Sequence, residues 1–288
     1  MPMPATTAIL LVHCADRPGL VAAISRFLHE HGGNIVYLDQ HVDTDQGWFF
    51  LRIEWELDGF AIEREAIAAR FGQEVAEPLK LSWRLHFSDV RPRMAVFVSK
   101  LTHCLYDILA RVACGEWAVE VPLIVSNHAD ASPIASQFGI AYHEFAIDPA
   151  SKADQEQREI AMLREHQIDF VVLARYMQVL SPAFVAAFPN RVINIHHSFL
   201  PAFAGARPYH SAHRRGVKLI GATSHFVTDD LDEGPIIAQE TVAVSHVDSI
   251  DDMVRKGRDL EKIVLARAIW HHLQHKILVC GNRTVVFS

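Results

Sequence analysis

The chain has 288 residues, of which 50% are hydrophobic, and a formal net charge of -7 at pH 7. This length and apolar content are enough for two ordinary domains that each bury a core, which excludes disorder as the main state. The acidic balance, without clusters of Lys and Arg, excludes a general nucleic-acid binder and favours a small-molecule ligand.

The cysteines and the N terminus indicate the compartment. The four cysteines are widely spaced and include no Cys-x-x-Cys pair, which predicts reduced, mostly structural thiols. Residues 1–4 lack the charged and apolar regions of a signal peptide, and no apolar run approaches the length of a membrane span. We therefore expect a cytoplasmic protein without a membrane partner.

Residues 1–87 predict a small α/β module. Hydrophobic periodicity indicates four strands and two helices. In chain order these are strand 7–14, helix 20–31, strand 34–42, strand 48–55, helix 60–71 and strand 79–87. The order βαββαβ is that of a ferredoxin-like unit.

The segment Asp16-Arg17-Pro18-Gly19-Leu20 opens the first predicted helix. Together with the βαββαβ order it resembles the ACT domain, in which the matching turn borders an amino-acid site at a domain interface. The resemblance implies an amino-acid effector near Asp16, Arg17 and Gly19, and a homo-oligomer, either a dimer or a tetramer. Two alternatives stay open, because many such modules serve only for dimerisation and because Asp16 and Arg17 are also ordinary residues of a solvated helix start.

A polar, proline-containing stretch at residues 88–93 separates two apolar strands, so we place a linker there. The predicted domains are therefore a regulatory or oligomerisation domain at 1–87 and a larger domain at 94–288. Alternating strands and helices predict a doubly wound, mostly parallel sheet in the second domain. Its predicted elements are strand 94–99, helix 106–112, strand 119–126, helix 152–166, strand 170–174, strand 192–196, an antiparallel extension at 219–227 and 235–243, and an amphipathic helix at 251–274.

Polar residues gather at the end of strand 192–196. Alternation along this strand projects Asn194 and His196 from one face, at a proline-bounded loop where open α/β sheets place ligands, and directs His197 the other way as a structural residue. The Asn194 amide can donate to an oxyanion, His196 can donate a proton, and Asp232 can orient an imidazole or activate water. Each residue alone also fits an ordinary structural position. The three together predict a hydrolytic or group-transfer site.

The motifs around these residues resemble those of the folate-dependent formyltransferases. They are Asn194-x-His196 followed by Leu200-Pro201, then His225-Phe226-Val227 and Leu231-Asp232-x-Gly234-Pro235-Ile236. Segments 194–210 and 281–284 are similar to the deformylase branch of that family, and the resemblance covers nearly the whole chain. It implies a formyltransferase-like Rossmann domain in which Asn194, His196 and Asp232 hydrolyse 10-formyltetrahydrofolate to formate and tetrahydrofolate. The formate would supply purine synthesis, and the reaction would balance one-carbon pools.

The same resemblance implies a folate pocket after strand 170–174, where main-chain groups read the pterin edge and apolar side chains pack its faces. By position, the folate-binding residues are Met177, Gln178, Val179, Leu180 and, on the facing loop, Val227. His225 would support the site, and a core histidine bonded to backbone is an equal alternative. Arg207 is a candidate contact for the glutamate tail of the folate or an ordinary surface arginine.

We expect no bound metal and no resident cofactor. His210 and His213 have i, i+3 spacing and His271 and His275 have i, i+4 spacing, but neither pair has a third ligand nearby in sequence. Tetrahydrofolate would be a product rather than a cofactor.

The loop after the first strand of the second domain separates three hypotheses. In glycinamide ribonucleotide transformylases, a close branch, this loop is glycine-rich and cradles a phosphate, whereas residues 99–105 here contain no glycine. This difference favours water over a phosphorylated amine as the acceptor, and so a hydrolase over a formyltransferase. A non-catalytic sensor of folate or amino acids is the third hypothesis, and the set Asn194, His196 and Asp232 argues against it.

Overall fold

The computed structural model describes residues 5–146, 151–202 and 208–288. The chain divides into two compact units between Arg91 and Pro92. The first unit also includes Gln274–Cys280 and Val285–Ser288, and the second includes Gly281–Thr284. Within the described ranges, no helix is long and apolar enough to cross a membrane.

The first unit is a four-stranded antiparallel sheet with two helices. Its elements are β1 (Thr7–Ala15), α1 (Leu20–Glu30), β2 (Ile35–Asp43), β3 (Trp48–Glu56), α2 (Arg64–Phe71), which continues into a π-helical turn at Gly72–Ala76, and β4 (Ser82–Phe87). The strand order is β2-β3-β1-β4, and every pair is antiparallel. This confirms the predicted ferredoxin-like arrangement. Leu10, Val12, Ile24 and Leu28 belong to the core between sheet and helices.

The second unit is a seven-stranded sheet covered by helices. Its elements are β5 (Arg93–Val98), α3 (His103–Ala113), β6 (Glu120–Ser126), α4 (Ser132–Phe138), β7 (Ala141–Glu144), α5 (Lys152–Glu165), β8 (Phe170–Ala174), α6 (Pro182–Ala187), β9 (Val192–His196), α7 (Pro208–Arg215), β10 (Leu219–Phe226), β11 (Ile236–Ala243) and α8 (Ile250–Leu273). The sequence analysis did not predict α4 and β7, which are short elements of 7 and 4 residues.

The order of the second sheet is β11-β10-β9-β8-β5-β6-β7. The five neighbouring strands β9, β8, β5, β6 and β7 are parallel to one another. Strand β10 runs antiparallel to both β9 and β11. This confirms the doubly wound sheet with an antiparallel extension. Because β5, β8 and β9 are parallel neighbours, their carboxyl ends meet at one edge of the sheet, which is where such folds bind ligands.

The chain ends in two short strands, β12 (Ile277–Cys280) and β13 (Arg283–Val286). Leu278 and Phe287 pack with Leu11 and Phe50 in a small core of the first unit. Residues 274–280 and 285–288 therefore belong to the first unit, whereas the sequence analysis assigned all of 94–288 to the second domain. The physical reason is that β1 is apolar on both faces, and the face that carries Leu11 needs a cover of its own.

Candidate active site

Strand β9 positions Asn194 and His196, and β10 supplies the residue opposite. Asn194 is the direct cross-strand partner of His225, and Asn194 Nδ2 lies 3.2 Å from His225 Nε2. The pairing of β10 with β11 shifts register between Ser224 and His225. The structure thus brings together two side chains that are 31 positions apart in the chain.

The contacts of His225 define its neutral tautomer. Its Nδ1 lies 2.9 Å from the carbonyl oxygen of Phe226, and because a carbonyl only accepts, Nδ1 carries the proton. In the neutral ring, Nε2 then accepts from the Asn194 amide. One N–H of Asn194 is held in this way, and its second N–H is left for another acceptor.

Asp232 reaches both histidines from the loop after β10. Its Oδ2 lies 3.1 Å from His196 Nδ1 and its Oδ1 lies 3.6 Å from His225 Nε2. Burial alone would raise the pKa of Asp232, but the bond from His196 and the nearby His225 ring outweigh burial and hold the pKa well below its usual range. Asp232 is therefore a carboxylate at neutral pH.

The pairing with Asp232 leaves one nitrogen of His196 for chemistry. A carboxylate only accepts, so His196 Nδ1 donates to Asp232. His196 Nε2 is buried and has no hydrogen-bond partner among the described residues. An orphaned buried nitrogen of this kind is costly unless a ligand completes it.

These side chains line a pocket of about 380 Å³ at the carboxyl edge of the sheet. It contains all three predicted catalytic residues, the supporting histidine and the five predicted folate-binding residues: Asn194, His196, Asp232, His225, Met177, Gln178, Val179, Leu180 and Val227. Met177 and Val179 expose large apolar side chains, and Leu180 is buried. The pocket lining is therefore partly polar and partly apolar. Arg207 lies outside the described residues.

The predicted effector residues lie in the first unit. Gly19 caps the start of α1 with φ 93°, the Arg17 guanidinium donates to the Leu79 carbonyl, and the backbone N–H of Asp16 donates to the Gly47 carbonyl. Arg17 is thus bonded within its own unit, and the amino-acid effector stays a prediction.

A buried polar cluster in the second unit was not predicted from the sequence. Its centre is Glu261 of α8, which is 1% exposed. Glu261 Oε2 lies 2.7 Å from His103 Nε2 and 3.5 Å from Arg175 Nε, and the Tyr209 hydroxyl donates to Oε1 at 3.1 Å. Burial alone would raise the pKa of Glu261, but the bond from His103 and the charge of Arg175 hold it below its ordinary value. The available signal was a charged residue beside Leu260 on the apolar stripe of α8.

His197 and Arg175 extend this cluster to the pocket, which both residues line. The His197 ring centroid lies 5.0 Å from that of His196 and 6.2 Å from that of Tyr209. Burial, with Arg175 nearby, lowers the pKa of His197 to about 4, so its ring is neutral at physiological pH. His197 therefore lies beside the pocket as well as being structural.

Three ligand-type atoms of this cluster, from His103, Cys104 and Glu261, lie within 4.8 Å of one another. Burial raises the pKa of the Cys104 thiol, so the sulfur is protonated in the metal-free protein. Glu261 already pairs with His103 and with the Arg175 guanidinium. The donor set therefore fits a hydrogen-bonded ion pair better than a metal site.

Comparisons with known proteins show the families to which the two units are similar. The family model for formyl transferase matches residues 92–269, and that for the ACT domain matches residues 8–73. Formyltetrahydrofolate deformylase from Synechocystis sp. is 56% identical over 98% of this chain and 99% of its own length, and the Bacillus subtilis protein of that name is 45% identical over 97% and 93%. The crystal structure of a formyltetrahydrofolate deformylase from Pseudomonas syringae is 43% identical with a TM-score of 0.97, covering 100% of this chain and 96% of that one.

Proposed function

Because the chain belongs to the formyltetrahydrofolate deformylase family, a family of hydrolases, we propose that it converts 10-formyltetrahydrofolate and water to formate and tetrahydrofolate. The observation that carries this proposal is the pocket in which Asn194, His196 and Asp232 meet. Its polar lining residues offer an amide donor, an unpartnered imidazole nitrogen and a carboxylate within one cavity. These are the groups that hydrolysis of an N-formyl bond requires.

In the proposed reaction, a water near Asp232 attacks the formyl carbon, and the free N–H of Asn194 donates to the oxyanion that develops. His196 serves as the proton carrier, because Asp232 holds its Nδ1–H and stabilises the imidazolium that forms when Nε2 takes a proton. The bond from carbon to N10 then breaks, N10 is protonated, and the formic acid loses a proton to leave as formate.

The folate ring is proposed to lie against the apolar residues of the pocket lining. The exposed side chains of Met177 and Val179, with Leu180 and Val227, offer apolar surface to a flat heterocycle. Gln178 supplies an amide beside that surface. Tetrahydrofolate is then a product, and the proposal needs no cofactor.

The test is formate and tetrahydrofolate release from 10-formyltetrahydrofolate by the purified protein without added amine. Asp232→Asn keeps the shape of the side chain and removes its charge, and we expect it to abolish release. Asp251→Asn is the matched control, because Asp251 is an exposed aspartate of the same unit and does not line the pocket. Wild-type release that survives in Asp232→Asn would remove Asp232 from the mechanism.

A formyltransferase is the second candidate. The contrary observation lies at the start of α3, which follows the loop at 99–102. The first residue of α3 is His103, and its Nε2 lies 2.7 Å from Oε2 of the buried Glu261 carboxylate. An anion at this position disfavours a phosphate there. Turnover only when glycinamide ribonucleotide is supplied would favour the transferase, and absence of turnover in both assays would favour a sensor.

We also propose, from the family resemblance, that the formate supplies purine synthesis and that the reaction balances one-carbon pools. Label from the formyl group should then enter purines in cells that contain the protein and not in cells that lack it.

For the first unit, we propose an amino-acid effector near Asp16, Arg17 and Gly19 and a homo-oligomer. Amino-acid titrations of the full chain by calorimetry, and light scattering for its mass, test these two points.

A further inference from the structure

We propose that the Arg175 guanidinium is an anion-binding group of the active-site pocket and that its ligand is the formate product. The inference rests on the proposed hydrolysis and adds to it a residue that binds the formate product. Arg175 follows β8 directly, and its side chain is 9% exposed. It lines the same cavity as His196 and Asp232.

The hydrogen-bonding capacity of Arg175 is not used up inside the protein. Its Nε and Nη1 are buried and have no hydrogen-bond partner among the described residues. A buried guanidinium normally satisfies its N–H groups, because each unsatisfied donor is costly. The orphaned donors therefore point to a ligand that is an acceptor and, since Arg is always charged, an anion.

The ion pair with Glu261 does not satisfy this cation. Glu261 Oε2 lies 3.5 Å from Arg175 Nε, while the same oxygen lies 2.7 Å from His103 Nε2. The other oxygen, Oε1, accepts from the Tyr209 hydroxyl. Glu261 thus anchors the guanidinium at a distance on its Nε side and leaves Nη1 able to donate to a small carboxylate.

The position of Arg175 suits an anion formed at His196. The neutral ring of His197 lies next to His196 and within the electrostatic reach of Arg175. Because His197 carries no charge at physiological pH, it neither competes with Arg175 for the anion nor repels the cation. A product carboxylate between these groups would meet the Arg175 cation and two imidazole rings, with the Glu261 carboxylate already paired to Arg175 and the Asp232 carboxylate to His196.

The chemistry of the reaction identifies the anion. The formyl group of the substrate is uncharged. In hydrolysis, the water oxygen bonds to the formyl carbon, the bond from that carbon to N10 breaks, and N10 takes a proton. The resulting formic acid then loses a proton and becomes formate. Transfer of the formyl group to an amine would instead give a neutral amide. The formyl group itself becomes an anion only in hydrolysis, so a buried cation with free donors in this pocket matches that reaction.

The test is formate binding and product inhibition in wild type, Arg175→Gln and Arg175→Lys. The probes are ¹³C-labelled sodium formate, observed by NMR line broadening, and inhibition of 10-formyltetrahydrofolate hydrolysis by formate. Arg175 has φ 65°, so Gln and Lys make the same demand on the backbone as the native residue. Arg164→Gln, an exposed arginine of the same unit, is the matched control.

We expect the dissociation and inhibition constants for formate to rise at least about tenfold in Arg175→Gln, as for the loss of a charge-assisted hydrogen bond. The rise in Arg175→Lys should be smaller, since Lys keeps the charge but not the fork. Arg164→Gln should match wild type. Wild-type formate constants in folded Arg175→Gln would overturn the inference, and so would equal binding of chloride and formate to wild type.

Arg175→Gln leaves Glu261 buried without its cation and is therefore at risk of not folding. Arg175→Gln/Glu261→Gln removes both charges, and formate binding at wild-type strength in this double variant would also overturn the inference. The two proposals can fail separately. Formate binding that depends on Arg175 in a protein that does not hydrolyse the substrate would leave the anion site and reject the function. If the protein hydrolyses the substrate but binds formate equally well without Arg175, the proposed function stands and the anion site is rejected.

Discussion

Gly234 lies so close to Phe226 that a Cβ on the glycine would be 1.8 Å from the Phe226 carbonyl oxygen. The same Cβ would lie 3.3 Å from His225 Nδ1. No side chain fits at this position without movement of the backbone. Because Gly234 has no Cβ, the loop that carries Asp232 can lie this close to β10.

Gly234→Ala should displace Asp232 from His196 and reduce turnover by about a hundredfold, as expected for a misplacement of roughly 1 Å at an active site. Gly72→Ala is the control, because Gly72 has helical φ and an added Cβ there would make an ordinary contact of 3.7 Å with Trp83. The measurement is kcat for deformylation with the melting temperature of each variant. Turnover within a fewfold of wild type would show that the loop position is not needed.

Asn194→Ala should reduce kcat by roughly a hundredfold to a thousandfold, the range for loss of one oxyanion donor. The effect on KM should be small, because the oxyanion exists only in the transition state. Asn194 also holds His225 Nε2, so the pH profile of the variant should be recorded with kcat and KM. A rise in KM at unchanged kcat would indicate that Asn194 binds substrate instead.

Strand content was predictable because β5 and β8 are continuous apolar runs with both faces covered. The cluster of Asn194, His196 and Asp232 could also be predicted, since polar residues at a strand end and in a glycine-containing loop carry their own signal. The burial of Arg175 and Glu261 could not, because a single charge next to an apolar run, such as Glu261 beside Leu260, also has the sequence pattern of a solvated residue. Only the packing of α8 over the sheet shows that these two charges are buried together.

Glu261→Gln should destabilise the second unit by about 3–5 kcal/mol, because it leaves the Arg175 cation buried without a carboxylate. Arg175→Gln/Glu261→Gln should be less destabilised than Glu261→Gln, since it removes the uncompensated charge. Urea unfolding of wild type, both single variants and the double variant measures the coupling. Additive free energies would show that the two side chains do not interact, despite the 3.5 Å approach.

Glu159 should make stability depend on pH. It is fully buried on α5, and burial raises its pKa from 4.5 to about 7, although Gln155 donates to its carboxyl oxygen. Between pH 4.5 and 7 the folded state therefore holds a proton that the unfolded state has lost, so stability falls as pH rises through this window. The full effect corresponds to roughly 3 kcal/mol.

Glu159→Gln carries no titrating group and should remove this part of the pH dependence. We expect wild type to lose stability relative to Glu159→Gln from pH 4.5 to pH 7.5 in urea unfolding at steps of one pH unit. Glu165→Gln replaces an exposed glutamate at the end of the same helix and should follow the wild-type curve. Parallel curves for wild type and Glu159→Gln would contradict the raised pKa.

The last residues of the chain complete the unit that its first residues begin. During synthesis, residues 5–91 leave the ribosome long before Leu278 and Phe287, which pack with Leu11 and Phe50. Until those residues emerge, the apolar face around Leu11 stays open to water, although domains made first generally fold first. The N-terminal unit therefore reaches its full stability only after translation has passed through the whole catalytic unit.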